Sequence, residues 1–262
     1  AGGPIIGNDG AYGNSFMGFI KLNPNLDLIK VPIILFGVGV ISIPFKNRNL
    51  DRLNNNALYF LNRVSKIYTR DKLTERYLKS NNINCDFMGC PSLSYKSNNN
   101  LSLNNSQVKN ILFSPSIFLN NKDIECYNKL TSYGRVIVTI NHNNVDIEAK
   151  AKKLFYNSEV VRLTNVEQML ELNKRVDMHI GFRVHQHIAS LISDIKSLLV
   201  ICDNRGGGMT EVLGNNKYSV NNINEIIDKI KMLENDDYSD VYRDIEQIRN
   251  NIGNIIKNIK EY

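Results

Sequence analysis

Residues 176–214 read VDMHIGFRVHQHIASLISDIKSLLVICDNRGGGMTEVLG, and the fold turns on how this stretch is parsed. Val176 to Ile180 is an apolar run of strand length, Gly181 is its turn, and Val184 to Leu191 opens a helix on apolar residues at helical spacing. Ser197 to Cys202 is a second apolar strand. It runs into Asp203-Asn204-Arg205 and three glycines, after which a helical pattern resumes from Met209 to Leu213. The order is βαβα, the repeat of a parallel sheet, whose ligands bind in the crevice off the carboxyl ends of the strands. Arg183 and His185 fall at the first strand-to-helix junction, and Arg205 with Gly206, Gly207 and Gly208 at the second.

Taken one at a time, these residues have ordinary explanations. Three adjacent glycines make a flexible loop, and an Arg or His at a strand end is more often a surface or capping residue than a catalytic one. Together, at one edge of two neighbouring strands, they describe an anion site beside a histidine. Glycines admit close backbone approach, N–H groups at a helix start carry partial positive charge, and a guanidinium pairs bidentately with phosphate or carboxylate. His179, inside the first strand, reads as a satisfied core histidine. His187, two beyond His185 on the helix, points to a different face.

Toward the N-terminus the alternation continues. Asn110 to Ser114, Arg135 to Ile140 and Val160 to Leu163 are strands; Asp123 to Tyr133, Ile147 to Tyr156 and Val166 to Asn173 are helices. His142 follows the second of these strands and is eligible for the same crevice. Residues 96–107 are polar and asparagine-rich, the composition of a linker. Before them, Val31 to Val40 ends an apolar run in Gly-x-Gly, the pattern of a buried parallel strand. It lacks a third glycine and a correctly spaced acid, which excludes a dinucleotide fingerprint. Leu50 to Val64 is a packing helix, Lys66 to Thr69 a short strand, and Lys72 to Lys79 a helix with Asp71 as N-cap. Arg70, at this third junction, either pairs with a neighbouring carboxylate or faces a ligand. Asp9 is either part of an ordinary Asn-Asp-Gly turn or a polar site residue. Two apolar stripes, Ile223 to Leu233 and Val241 to Ile259, predict C-terminal helices that pack across the domain junction. The expected division is 1–95, the linker 96–107, 108–220, and the helices of 221–262.

The 262 residues suffice for two α/β domains, each with its own core. At 42% apolar and 22% charged, the composition is globular. The net charge of +6, from 32 basic and 26 acidic side chains, is mild. No basic block with interleaved aromatics accompanies it, which argues against a nucleic-acid partner. A small anionic substrate or peripheral contact with an anionic membrane face fits the surplus, as does a solvated basic surface. Cys85, Cys90, Cys126 and Cys202 form no CxxC pair, so neither a zinc site nor a disulfide framework is expected, and the chain reads as reduced and cytoplasmic. No apolar run reaches bilayer-spanning length.

Gly181-Phe182-Arg183-Val184-His185, the apolar helix and strand after it, and Asp203-Asn204-Arg205 with Glu211 and Gly214 beyond, resemble the C-terminal signature of the polysaccharide pyruvyl transferase family. That signature is Gly-x-Arg-x-His, then a strand and an Asp-x-Arg or Asp-Pro-Lys turn. The chain departs from it at Ile195-Lys196-Ser197, where Gly-Val-Pro is usual, and in the length of the Gly206 to Gly208 run. Arg70-Asp71 is similar to the family's Arg-Asp segment, and the opening glycines with Asp9 to its glycine-rich turn. The resemblance therefore implies that the first part of the N-terminal domain is missing.

The same resemblance implies an α/β, GT-B-like fold of two Rossmann-like lobes with parallel sheets. It implies an enzyme that transfers pyruvate from phosphoenolpyruvate to a sugar of a cell-surface polysaccharide or its precursor, as a cyclic ketal, without cofactor or metal. The acceptor is then a sugar or lipid-linked saccharide met at the inner face of the membrane. His185 and Asp9 are the catalytic candidates. Arg70, Arg183, Arg205, Gly206, Gly207, Glu211 and His142 are the substrate-binding ones. Phosphoenolpyruvate carries a phosphate and a carboxylate, which call for more than one guanidinium. A histidine with a pKa near neutrality can deliver a proton to the enol carbon. Two other functions use the same fold: a nucleotide-sugar glycosyltransferase whose diphosphate is held by Arg205 and Gly206 to Gly208, and a protein that keeps the fold without the chemistry.

Overall fold

Strand and helix alternate over residues 110–234. The computed structural model describes residues 4–6, 29–40, 53, 55–95, 107–141 and 145–259. The chain forms two units, Ala1–Tyr95 with Cys202–Leu213 and Tyr242–Tyr262, and Lys96–Ile201 with Gly214–Val241. The first opens with β1 (Pro4–Ile6), β2 (Ile34–Val40), α1 (Asn55–Leu61), β3 (Lys66–Thr69), α2 (Lys72–Ser80) and β4 (Asp86–Phe87). These strands are parallel, in the order β1-β2-β3-β4. Val38 and Val40 on one face of β2, Ile67 of β3, Leu61 of α1 and Leu78 of α2 lie in one core cluster.

The second unit contains β5 (Asn110–Ser114), α3 (Asn121–Thr131), β6 (Arg135–Ile140), α4 (Val145–Leu154) and β7 (Glu159–Arg162). It continues with α5 (Val166–Asn173), β8 (Met178–Gly181), α6 (Val184–Leu191) and β9 (Lys196–Val200). The chain then supplies α7 (Asn204–Val212) to the first unit and returns for β10 (Ser219–Val220) and α8 (Ile226–Glu234). It ends in α9 (Ser239–Ile259), which groups with the first unit from Tyr242 onward. Cys202–Leu213 and Tyr242–Tyr262, which a contiguous division leaves with what precedes them in sequence, thus belong with residues 1–95.

All pairings in the second sheet are parallel, in the order β7-β6-β5-β8-β9-β10. Counted within the sheet this is 3-2-1-4-5-6. The chain builds outward from β5 to β7, comes back to the middle at β8, and builds outward the other way. Succession reverses between β5 and β8, where Ser114 pairs with Gly181, and such a reversal opens the crevice in which ligands bind.

Local sequence explains most of the boundaries. Asp71 caps α2, its Oδ1 accepting from Thr74 N at 2.7 Å, and Asn120 with Asp123 forms a capping box at α3. Asn165 caps α5 and Asp203 caps α7; each such oxygen is worth about 1 kcal/mol. β8 and β9 are buried along their length, as parallel strands covered on both faces are. Leu112 and Phe113, adjacent on β5, point to opposite faces: Leu112 joins Ile137, Leu172 and Val176, while the Phe113 ring meets Tyr127, Phe155 and Phe182. Lys196 is buried at the start of β9, and its Nζ donates to Leu233 O at 3.4 Å and to Glu234 O, the end of α8 where a cation is favoured. The last helix returns to β4: Asn251 Nδ2 donates to Phe87 O and Met88 O, both at 3.2 Å, and Arg249 Nε donates to Leu93 O at 2.9 Å.

Candidate active site

Gly181 ends β8 at the reversal point, and a side chain has no room there. A Cβ on it would lie 2.3 Å from both the carbonyl oxygen and the Oγ of Ser114. Phe182 follows; its N–H donates to Ser114 O at 2.8 Å and its ring meets Phe113 edge-on, centroids 6.4 Å apart. Burying that ring contributes about 2–3 kcal/mol. With two consecutive residues held, Arg183 arrives at a set place. It is the N-cap of α6, half-buried, and His185 is exposed in the helix's first turn. The Arg183 side chain makes no capping hydrogen bond, and the first turn of α6 carries no acidic residue. Arg183, and His185 when protonated, therefore crowd the positive end of a helix dipole. The N–H groups at such a helix start favour an anion. The contrast is with α2, which starts on Asp71 and Glu75, and α3, which starts on Asp123.

Behind this first turn α6 is buried and held by polar side chains. Gln186 Nε2 donates to Asn173 Oδ1 at 3.1 Å, and Asn173 Nδ2 donates to Ala189 O at 3.0 Å and Ser193 Oγ at 3.1 Å. Asn141, at the end of β6, reaches Gln186 Oε1 at 3.4 Å. A second set joins Ser114, His179, Ser197 and His187 through their side chains. Burial drives His187 down to about 3; burial, aided by the neighbouring His187, drives His179 well below the usual range. Both rings are neutral at pH 7, while His185 is exposed.

In the first unit, Arg70 directly follows β3. It is buried, packs on Gly39 of β2, and donates from Nε to Asp71 Oδ2 at 3.3 Å. The glycine run is helical where its composition reads as a loop: α7 begins at Asn204. Asp203 is the reason. Its Oδ1 accepts from Arg205 N at 2.9 Å and Gly206 N at 3.1 Å, and its Oδ2 accepts from Arg205 Nε at 2.8 Å and from Arg205 Nη2. The N–H groups and guanidinium that the sequence offers to an anion are thus engaged by a carboxylate, which a ligand would have to displace. Gly208 is where α7 meets α2, since a Cβ there would stand 2.9 Å from Asp71 Cγ. One turn on, both oxygens of Glu211 accept from Arg76 Nη2, at 3.0 and 2.8 Å. Asp9 and His142 lie outside the described residues.

The family model for polysaccharide pyruvyl transferase matches residues 1–204. The chain belongs to that family. No curated protein matches the sequence. Among solved structures this chain is similar to Staphylococcus aureus MnaA with UDP, at 12% identity and a TM-score of 0.53 over 94% of this chain and 67% of that one. It is also similar to a putative UDP-N-acetylglucosamine 2-epimerase from Listeria monocytogenes, at 10% identity and a TM-score of 0.57 over 98% and 73%. A third is UDP-GlcNAc 2-epimerase from Neisseria meningitidis bound to UDP-GlcNAc, at 12% identity and a TM-score of 0.52 over 86% and 70%. At such identities the likeness shows the fold alone, a GT-B-type pair of parallel-sheet lobes.

The pyruvyl transferase match includes Arg70, Arg183 and His185, with Asp9 and His142, and stops short of Arg205, Gly206, Gly207 and Glu211. Among the described residues no group of three or more His, Cys, Asp or Glu side chains is placed to hold a metal ion, and no helix is long and apolar enough to cross a membrane. Burial pushes the Cys85 thiol up to about 11 and raises Cys126 as well, so neither is a thiolate at neutral pH. Residue-by-residue reading missed Ser114, Ser197 and Asn173 as parts of the site's support. The available signal was a polar residue inside or beside an otherwise apolar strand, as in NILFS and KSLLV.

Proposed function

We propose that this pyruvyl transferase takes phosphoenolpyruvate as donor and closes a cyclic ketal on two hydroxyls of a sugar in a cell-surface polysaccharide or its precursor. What carries the reading is the basic pair Arg183 and His185 at the positive end of α6, off the strand-order reversal of the second sheet. Arg183 pairs with the donor's phosphate or carboxylate, and the first-turn N–H groups of α6 add to its hold. His185 gives its proton to the methylene carbon, which becomes a methyl group while C2 takes on oxocarbenium character. One sugar hydroxyl adds to C2 and passes its proton to a base, for which Asp9 is the candidate. The C2–O bond to phosphate then breaks, the second hydroxyl closes the ring, and its proton leaves with inorganic phosphate. No electrons are exchanged, so the reaction calls for no redox cofactor. Arg70 and Arg205, in the other unit, are anion-binding candidates to be tested separately, as are His142, Gly206, Gly207 and Glu211. The acceptor is a sugar or lipid-linked saccharide, met in the cytoplasm or at the inner face of the membrane.

The test is thermal stabilisation by phosphoenolpyruvate, set against UDP-sugars and CMP-sugars. A ligand bound only by the native state at about one hundred times its Kd adds about 2.7 kcal/mol. Phosphoenolpyruvate alone should raise the melting temperature, and supplying the acceptor should release inorganic phosphate. A shift with a UDP-sugar instead assigns the chain to nucleotide-sugar chemistry; the fold neighbours named above are a UDP complex and UDP-GlcNAc 2-epimerases. No shift with any of them leaves a protein that has kept the fold without the chemistry.

A further inference from the structure

Ser114 of β5, His179 of β8, Ser197 of β9 and His187 of α6 form an unbroken line of side chains across the second unit. Ser114 Oγ to His179 Nε2, His179 Nδ1 to Ser197 Oγ and Ser197 Oγ to His187 Nδ1 are each 2.7 Å. None of the four is more than 2% exposed. A neutral imidazole has one N–H and one bare nitrogen, and a hydroxyl has one hydrogen. With the Ser197 hydrogen used inside the line, all three links point the same way, from Ser114 to His187 or the reverse. Bonds aligned in this manner polarise and stiffen one another.

Stability does not account for the arrangement. A fully paired buried polar set does about as well as apolar side chains of the same volume, and one missing member makes it worse. Leu198 and Leu199, next along β9, show what else the strand accepts. The line is distinguished by where it ends. The two residues at its ends also hold the chain on either side of the site through their main chains: the Ser114 carbonyl accepts the Phe182 N–H at 2.8 Å, and the backbone N–H of His187 donates to Arg183 O at 3.0 Å, so they bracket Arg183-Val184-His185. Its hub, Ser197, falls in the segment that departs from the family's usual Gly-Val-Pro.

We propose that Ser197 and His187 are positioning residues for the donor site: the line sets the height and rotation of α6 on the sheet, and with them the place of the Arg183 guanidinium and the His185 ring. The assignment rests on Arg183 binding the donor and His185 protonating it.

Ser197→Ala removes the hub with little change in volume, and His187→Asn keeps an amide near the place of Nδ1. The readouts are melting temperature, amide hydrogen exchange in the first turn of α6 against that in α3, and steady-state kinetics with phosphoenolpyruvate. In Ser197→Ala, exchange should quicken about ten-fold in α6 and not in α3, and kcat/KM should fall about ten-fold or more. His187→Asn should stay within about three-fold of the parent. A Ser197→Ala protein that melts earlier, yet keeps the parent's kinetic constants and α6 protection, overturns the proposal. Should it not fold, Ser197→Cys, of similar size and with a weaker donor, is read the same way. A parent that neither binds nor turns over phosphoenolpyruvate refutes the proposed function instead. The exchange comparison then decides alone: quickened α6 amides support the positioning role and unchanged ones overturn it.

Discussion

Bringing the protein from pH 7.5 to 5.0 loads the unfolded chain with protons that the folded second unit refuses. An unfolded histidine binds its proton near pH 6.5. In the fold, burial lowers His187 to about 3 and puts His179 well below the usual range, with the charge of His187 as a second cause. Between the folded and unfolded values the unfolded state holds more protons, so the contribution to stability is complete above about pH 6.5 and drains away as the pH falls. The slope is about 1.4 kcal/mol per pH unit for each ring. At pH 5.0 that is about 2 kcal/mol for His187, with His179 contributing in the same direction, a sizeable part of the 5–15 kcal/mol by which a domain is normally stable.

Carboxylates do not blur this window. Burial raises Glu75 and Asp236, but hydrogen bonds from Lys79 and Lys72 to the first, and from Lys217, the Tyr238 N–H and Tyr218 to the second, outweigh it and hold both low. Their contribution is present above the unfolded values of 4.5 and 3.8 and lost only below them. Urea unfolding at pH 7.5, 6.0 and 5.0 measures the effect. The parent should lose more than about 1 kcal/mol between pH 6.0 and 5.0, the His187 share alone, and His187→Asn or His179→Gln should each lose less than the parent, whatever their stability at pH 7.5. An unfolding free energy that stays level from pH 7.0 to 5.0 in the parent would refute a buried, neutral pair.

Arg183→Ala should lose donor binding, since a charge-assisted bidentate contact is worth about 1.5–3 kcal/mol, and Arg183→Lys should restore little of it; parent-like calorimetry with phosphoenolpyruvate in the alanine variant moves the anion site elsewhere. His185→Gln should keep donor affinity within a few-fold and lose roughly 10²–10⁴ in kcat, whereas lost affinity with retained turnover makes the ring a binding group. Gly181→Ala must push β5 from β8, because the new methyl meets the Ser114 carbonyl, and should cost about 1–3 kcal/mol in chemical denaturation; a neutral result means the strand ends can part there. Arg76 and Glu211, both exposed to solvent, should show a coupling below about 1 kcal/mol in a double-mutant cycle, and a larger value would make that pair a principal tie between α2 and α7.

What could be read from the sequence followed locality. The alternation of apolar runs and helical stripes is a local pattern, so strands and helices were visible with their order, and with them a parallel α/β fold. The side on which each strand inserts is not local. That β8 returns to pair with β5, and not with β7, depends on contacts 67 residues apart along the chain (Ile111 with Met178), and no window of residues 176–214 contains it. The glycine run misled for a related reason. Glycine disfavours helix by about 1 kcal/mol per residue, and three in a row read as a loop. The Asp203 cap and the close packing of Gly208 on Asp71, 137 residues away, outweigh that preference. His179 and His187 were each read correctly in isolation, one as a core residue and one as facing away from His185. Their union through Ser197, 18 and 10 residues away, has no signature in either neighbourhood. Arg183 could be placed from sequence for the opposite reason: the strand-turn-helix pattern around it is local, and the structure has it at the start of α6, as that pattern predicts. The buried line has no such local pattern, so the residues that touch a ligand can be nominated from sequence, while those that hold them in place become visible only once the strands have been put in order.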